Sequence, residues 1–180
     1  MRKDAEGHRA LLVTAATAVF AANGCGAPLE QVLTAAGLGR GTLYRHFPTR
    51  EALILAVLTS ELDRMAVFVD ERKDSRSLLR DFLGQNAAVA SMAISAMQAL
   101  GESKTIELLK PLSRKAKRLY QTVADRALVT GEARPPFGEQ DLKLILRMIV
   151  AAGSQETNVK DRARMVARGL DITLAGLAAL

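Results

Sequence analysis

One short segment, GLGRGTLYRHF at residues 37–47, carries an unusual density of hydrogen-bonding side chains. Its polar members are Arg40, Thr42, Tyr44, Arg45 and His46. Arginine and tyrosine can donate hydrogen bonds to DNA bases or phosphates, and the methyl group of threonine can contact that of thymine. The segment therefore has the chemistry of a DNA-contacting surface, although the solvated face of a short helix would have the same composition.

A helical wheel at about 100° per residue divides the segment into two sides. Leu43 and Phe47 share one side, where they would anchor the helix to its neighbours. The polar residues occupy the opposite side and its flanks, with Gly41 among them. Because glycine has no side chain, the backbone at Gly41 could approach an edge of DNA closely.

The segment comes directly after a predicted helix, PLEQVLTAA at residues 28–36, and not after a strand. Its glycines are spaced G-x-G-x-G, whereas a dinucleotide-binding loop comes after a strand and has the spacing G-x-G-x-x-G. Gly37 ends the first helix, Leu38 fills the space between the two helices, and Gly39 opens the second. This is the layout of a helix-turn-helix, whose second helix can enter the major groove of DNA.

Helical patterns account for almost the entire chain, and no strand pattern persists beyond a few residues. An amphipathic first helix carries Leu12, Ala16 and Phe20 on one side and stops at Asn23-Gly24. Thr49 is placed to cap a long fourth helix. Further helices are predicted over residues 76–100, 104–130, 139–153 and 162–180. The predicted fold class is therefore all-α.

The charge balance of the chain is mildly basic, with a formal net charge of +6 and a pI near 9.8. Within residues 1–50, six lysine and arginine residues outnumber three aspartate and glutamate residues, so this part holds half of the net excess. A basic balance of this size permits an anionic partner without proving one.

The sequence offers no constellation for catalysis, for a metal ion or for another cofactor. Cys25 is the only cysteine, and a single thiol fits a reducing cytosol. His8 and His46 are the only histidines and lie far apart in the sequence. We therefore expect a protein that is not an enzyme.

The N-terminal region, residues 1–25, combines basic residues, an apolar stretch and a cysteine, as a lipoprotein signal does. Acidic residues dilute its charged part, and Thr14 and Thr17 interrupt its apolar part, so a folded amphipathic helix is the better interpretation. The apolar run at residues 87–100 is shorter than the ~20 residues that a membrane span needs. We expect a cytoplasmic protein without a membrane partner.

Residues 9–58 resemble the DNA-binding domain of the tetracycline-repressor (TetR) family of bacterial transcription regulators. The match is closest across GTLYRHFPTREALILAVL, residues 41–58, and the later part of the chain agrees only in its length and its succession of helices. The resemblance implies a three-helix DNA-binding domain at residues 1–48, with the start of helix four to about residue 58. It implies an effector-binding and dimerisation domain at residues 49–180.

The resemblance also implies roles for single residues. The recognition-helix positions from which family members contact DNA correspond here to Arg40, Thr42, Tyr44, Arg45 and His46. Thr49 and Arg50 match the start of the fourth helix, which usually grips phosphate. Gly39 stands where a serine often caps the recognition helix, so the phosphate contact of that serine is missing here.

The effector is not identified by the resemblance, and the residues indicate only a general site. The helix at residues 87–100 is apolar nearly all round, which is typical of a buried helix. A narrow polar stripe faces either solvent or a cavity and consists of Ser91, Ser95, Gln98 and Glu102. The candidate pocket residues are Met92, Ser95, Met97, Gln98 and Tyr120. The scarcity of aromatic residues favours an aliphatic or amphipathic effector.

A homodimer is expected because one recognition helix has a small footprint and two-fold proteins read palindromic sites. The last two helices offer apolar stripes for the interface, part of which must also pack on their own domain. The candidate interface residues are Leu142, Ile145, Leu146, Ile149, Val166, Leu170, Leu174 and Leu177.

These interpretations predict a DNA-binding transcriptional regulator, namely a repressor that a small-molecule effector releases from a palindromic operator. Its partners are then double-stranded operator DNA, the effector and a second copy of the chain. The alternative is a helical small-molecule or lipid carrier that does not bind DNA. The match across residues 41–58 argues against this alternative.

Overall fold

A computed structural model describes residues 2–154 and 159–179. Within these ranges the chain forms eight α-helices and no strand, which confirms the predicted all-α class. In chain order the helices are α1 (Arg2–Asn23), α2 (Leu29–Ala36), α3 (Arg40–His46), α4 (Arg50–Glu71), α5 (Leu78–Leu100), α6 (Glu102–Thr130), α7 (Glu139–Ser154) and α8 (Val159–Ala179). No helix in the described ranges combines the length and the apolar character required to cross a bilayer.

The helix ends agree with the capping signals in the sequence. α2 ends at Gly37, whose φ of 65° lies in the left-handed region that glycine adopts without strain. The Thr49 hydroxyl accepts a hydrogen bond from the Ala52 N–H (3.2 Å) and so caps α4. Only Gly101 separates α5 from α6, so α6 begins at Glu102 and slightly earlier than the sequence pattern predicts.

The chain divides into two compact units. Unit 1 contains Met1–Glu61 and Met92–Pro111, and unit 2 contains Leu62–Ser91 and Leu112–Leu180. α4, α5 and α6 each contribute to both units, so the units do not match the order of the chain. The sequence predicted a division at residue 48, which separates the helix-turn-helix from the remaining helices. The pattern of one helix does not reveal which distant segment packs against it, so the two units could not be predicted from the sequence.

Unit 1 buries the apolar sides of its first four helices. Side chains that are at most 2% exposed include Leu12, Ala16, Phe20, Val32, Leu43, Leu53 and Ile54. α1 contacts both α2 and α3, and this shared apolar contact fixes the recognition helix on its supporting helices.

Unit 2 is built around one large apolar cluster to which α4, α5, α6 and α7 contribute. Phe82 is fully buried in it and meets the ring of Tyr120 edge-on, with 5.8 Å between the ring centroids. α8 packs against this cluster through Val166, Leu170 and other partly buried side chains. The second unit therefore has a core of its own.

Candidate nucleic-acid interface

Two buried side chains hold α3 in place. Leu43 is 1% exposed and Phe47 is 3% exposed, as the helical wheel predicted for the side that anchors the helix. The guanidinium of Arg9 on α1 lies over the Phe47 ring, 5.3 Å from its centroid. Gly39 precedes α3 in an extended conformation and provides no side-chain cap, as its residue type dictates.

The opposite side of α3 faces outward. Arg40, Gly41, Tyr44 and Arg45 are exposed, and Thr42 and His46 are half-buried. A Cβ atom placed on Gly41 would meet no other atom within 4 Å, so the backbone is open at the middle of this face. We call the six outward residues 40–42 and 44–46 the recognition face. It joins hydrogen-bond donors of two arginines and a tyrosine to a backbone that a DNA edge can approach.

Arg40 is held by an acidic residue of the preceding helix. Its Nη2 lies 2.5 Å from Oε1 of Glu30, and both side chains are largely exposed. An exposed ion pair contributes at most about 1 kcal/mol, so a phosphate or a base could replace the carboxylate at little cost. The pair aligns Arg40 at the edge of the recognition face.

Arg50 contacts the protein backbone at the start of α4. Its Nη1 donates hydrogen bonds to the carbonyl oxygens of Cys25 (2.8 Å) and Ala27 (2.7 Å). These bonds brace the segment between α1 and α2, a role that the sequence did not reveal because the carbonyls lie more than twenty residues away along the chain. Thr49, its neighbour, is exposed and caps α4.

The same segment is also bound by the second half of α5, a contact that the sequence patterns did not predict. The Cys25 N–H donates to Oγ of Ser95 (2.7 Å), and the Cys25 thiol donates to the Met92 carbonyl (3.3 Å). Gly24 has a φ of 79°, and a Cβ atom there would lie 2.7 Å from the Ser95 Oγ. Burial raises the pKa of the Cys25 thiol. We call Gly24, Cys25, Arg50, Met92 and Ser95 the junction.

An ion pair joins α4 to α6 within the same unit. Lys104 at the start of α6 donates from Nζ to Oε1 of Glu51. This hydrogen bond is the main reason that the pKa of Glu51 is lowered to about 2, and the backbone N–H of Glu51 and the Thr49 hydroxyl add to it. The first turn of α4 is therefore attached to α6 directly through Glu51 and to α5 only through the Cys25 segment.

Comparison with known proteins bears on the role of this arrangement. The sequence profile of the family described as "Bacterial regulatory proteins, tetR family" matches residues 12–57, which hold the second half of α1, all of α2 and α3, and the first turns of α4. The HTH-type transcriptional regulator UidR of Escherichia coli K12 is 25% identical over an alignment of 194 positions, which covers 98% of this chain and 96% of that protein.

Solved structures agree with this match over nearly the whole length. The TetR transcriptional regulator SCO0520 from Streptomyces coelicolor has a TM-score of 0.73 and 29% identity, covering 94% of this chain and 97% of its own. The chain is therefore similar to TetR-family transcriptional regulators, both in the segment at residues 12–57 and over nearly its whole length. A protein from Rhodococcus sp. RHA1 shares the fold with a TM-score of 0.68 at 18% identity, over 94% of this chain and 95% of its own. TetR-family regulators bind DNA and are not enzymes.

The five effector-contact positions predicted from the sequence have different surroundings. Met92 is 2% exposed, and the half-buried Ser95 accepts a hydrogen bond from the Cys25 N–H. Met97 is 37% exposed and Gln98 is exposed. Tyr120 belongs to unit 2, where its hydroxyl accepts from Nδ2 of the buried Asn86 (3.2 Å). Burial raises the pKa of Tyr120.

The candidate dimer residues lie largely inside their own chain. On α7 the four predicted positions are at most 8% exposed: Leu142, Ile145, Leu146 and Ile149. On α8 the four predicted positions are partly buried against the same core: Val166, Leu170, Leu174 and Leu177. Other apolar side chains on these helices are exposed, namely Leu144, Met148, Met165 and Ile172. The sequence patterns of α7 and α8 could not distinguish these sides, because both sides of each helix carry apolar residues.

Among the residues that the structure describes, no group of three or more His, Cys, Asp and Glu side chains lies close enough to hold a metal ion.

Proposed function

We propose that this protein is a homodimeric repressor of the TetR family that binds a palindromic operator through α3 of each protomer and leaves it when a small-molecule effector binds. The observation that carries the proposal is the recognition face. Six adjacent outward residues combine two arginines, a tyrosine and an open backbone at Gly41, while Leu43 and Phe47 fix the helix from behind. A carrier that never meets DNA has no need for this face.

We expect the residues of the recognition face and those at the start of α4 to contact different parts of the DNA. Thr42, Tyr44 and His46 would contact bases, and Arg40 and Arg45 would contact bases or phosphates. Thr49 and Arg50 would grip the phosphate backbone beside the groove. The Arg50 Nη1 is already bonded to two carbonyls, so any phosphate contact has to use its other nitrogens.

A mobility-shift assay with the DNA upstream of the protein's own gene tests the proposal. We expect Tyr44→Ala to weaken operator binding by about 1–3 kcal/mol, the usual cost of one lost base contact. Leu11→Ala is the matched control, because Leu11 is also about half exposed but lies on α1. Equal operator affinity of parent, Tyr44→Ala and Leu11→Ala would contradict the role of the recognition face.

The dimer interface is proposed on the outer sides of α7 and α8. Leu144 and Met148 lie four residues apart on α7, and both are 56% exposed. Met165 and Ile172 lie seven residues apart on α8, with 40% and 58% exposure. Spacings of four and seven residues place each pair on one side of its helix, and exposed apolar stripes of this kind mark protein interfaces.

Light scattering separates the interface from the core. Leu144→Glu should give a folded monomer, whereas Leu146→Glu should unfold unit 2 because Leu146 is only 3% exposed. Circular dichroism distinguishes the two outcomes. A parent protein that is monomeric at the concentrations at which it binds DNA would refute the dimer.

The signal from the effector is proposed to travel along α4 and α5, because both helices contribute to the two compact units. Met92 and Ser95 are engaged with Cys25, so we assign them to transmission of the signal and not to ligand contact. A ligand shifts the operator affinity only by its differential affinity for two states, and a factor of 100 needs about 2.7 kcal/mol.

A further inference from the structure

A groove in unit 2 lies outside the positions that the sequence predicts for effector contact. It has a volume of about 750 Å³, which is within the usual range of about 300–1,000 Å³ for small-molecule sites. It opens beside the end of α4, the first turns of α5 and the middle of α8. Its lining consists of Arg64, Phe68, Arg72, Arg80, Asp81, Gly84, Gln85 and Leu170. We call it the arginine groove.

The charge of the arginine groove is positive, since its lining has three guanidinium groups and one carboxylate. Arg64 donates to the neutral amide oxygen of Gln85 (3.1 Å), and Arg72 stacks on the Phe68 ring, 4.3 Å from its centroid. Arg80 lies 3.4 Å from Asp171, and both of these side chains are more than half exposed. An ion pair this exposed is weak, so a better-placed anion could replace Asp171.

Three carboxylates of unit 2 have partners of their own. Asp81 accepts a hydrogen bond from the Ser77 hydroxyl (3.0 Å). Asp74 is paired with Arg126 at 3.6 Å. Glu132 accepts the backbone N–H of Leu79 (3.1 Å) at the start of α5. Of these three, only Asp81 lines the groove, so the lining itself has three guanidinium groups against one carboxylate.

The groove also has an apolar part. Phe68 and Leu170 are both partly buried against the core of unit 2. Gly84 lies beside Leu170, since a Cβ atom on Gly84 would be in ordinary van der Waals contact with the Leu170 Cδ2 at 3.7 Å. A ligand that used the whole groove would need an acidic group for the arginines and an apolar body for these two side chains.

We propose that the arginine groove binds a small organic acid, a carboxylate that carries an aliphatic body. Guanidinium groups bind carboxylates through paired, charge-assisted hydrogen bonds, and the apolar body gains from covering Phe68 and Leu170. The groove uses α4 and α5, the two helices whose other ends carry Arg50 and Ser95 of the junction. In naming the class of effector, this inference rests on the proposed function.

Titration calorimetry with decanoate tests the binding site directly. Decanoate should bind at least about tenfold more tightly than decanol, which lacks the charge, and than acetate, which lacks the chain. Arg72→Gln and Arg80→Gln should each weaken decanoate about tenfold. Arg118→Gln is the matched control, because Arg118 is an exposed arginine of unit 2 outside the groove. Thermal melting of each variant confirms that it is folded.

Three results would overturn the site: no measurable decanoate binding, equal binding of decanoate and decanol, or arginine variants that bind decanoate like the parent. The effector role is judged separately by operator affinity with and without decanoate. An unchanged operator affinity would overturn that role, and linkage requires operator DNA to weaken decanoate by the same factor that decanoate weakens operator. A parent that binds no operator would refute the proposed function, and the calorimetry would still decide the groove.

Discussion

The helix α5 makes different kinds of contact inside unit 1 and inside unit 2. In unit 1 the second half of α5 attaches to the helix-turn-helix through the Ser95 hydroxyl, and Arg50 attaches to two backbone carbonyls of the same segment. In unit 2 a continuous apolar cluster surrounds Phe82. Hydrogen bonds depend on direction and on single atoms, whereas apolar burial depends mainly on area. The junction is therefore suited to switch between arrangements, and the core of unit 2 is suited to hold one arrangement.

The largest expected effect is in the core of unit 2. Phe82→Ala should lower the free energy of unfolding by about 3–5 kcal/mol, because Phe82 is fully buried and its loss leaves a cavity beside Tyr120. Urea unfolding measures the change. Val67→Ala is the control, because Val67 is 58% exposed and should cost little. Similar costs for both variants would show that the core assignment is wrong.

The next effect distinguishes two arginines of unit 1. Arg50→Ala should lower the free energy of unfolding by about 1.5–3 kcal/mol, because the carbonyls of Cys25 and Ala27 lose a charged donor. Arg45→Ala should leave stability nearly unchanged, because Arg45 is exposed on the recognition face. Thermal melting without DNA provides the measurement. An Arg50→Ala variant as stable as Arg45→Ala would refute the stabilising role of the Arg50 hydrogen bonds.

The operator affinities of the same two variants sharpen the comparison. Each should lower the slope of log affinity against log salt by about one if each arginine contacts a phosphate. A slope that falls for Arg45→Ala and not for Arg50→Ala would mean that Arg50 stabilises the junction and contacts no phosphate.

A smaller effect isolates the contact between Gly24 and Ser95. Gly24→Ala and Gly131→Ala both place a side chain at positive φ, at 79° and 77°, which costs about 1–2 kcal/mol in each case. Only Gly24→Ala also brings a methyl group within 2.7 Å of an oxygen, so it should be destabilised further, by about 1 kcal/mol or more. Adding Ser95→Ala to Gly24→Ala should recover part of this excess. Equal melting temperatures for the two glycine variants would argue against close packing at the junction.

The smallest effect is a pH dependence at Glu51. The pKa of Glu51 is lowered from 4.5 to about 2, so its ion pair with Lys104 contributes stability above about pH 4.5 and loses it as the pH falls toward 2. Lys104→Met should raise the pKa of Glu51 and cost less than about 1 kcal/mol at neutral pH, since Lys104 is largely exposed. A carboxyl titration monitored by NMR reports the pKa. An identical titration of Glu51 in parent and variant would exclude this pair.

The sequence by itself determined the local features of the molecule. Gly37 and Thr49 mark helix ends, because left-handed φ and hydroxyl capping are properties of single residue types. Leu43 and Phe47 mark the inner side of α3, because one helix of known period has only one consistent apolar side. The outward placement of Tyr44 and Arg45 results from the same period.

Only the tertiary structure decided which distant groups meet. Cys25 and Ser95 are 70 residues apart, and nothing in either local pattern indicates that their hydrogen bond exists. The position of Arg50 in the motif predicted a contact with phosphate. In the structure its hydrogen bonds go to backbone carbonyls of another segment. On α7 both Leu144 and Leu146 are apolar, and the structure exposes the first and buries the second. Helical periodicity fixes directions around one axis, but the neighbours on each side are set by the packing of the whole chain.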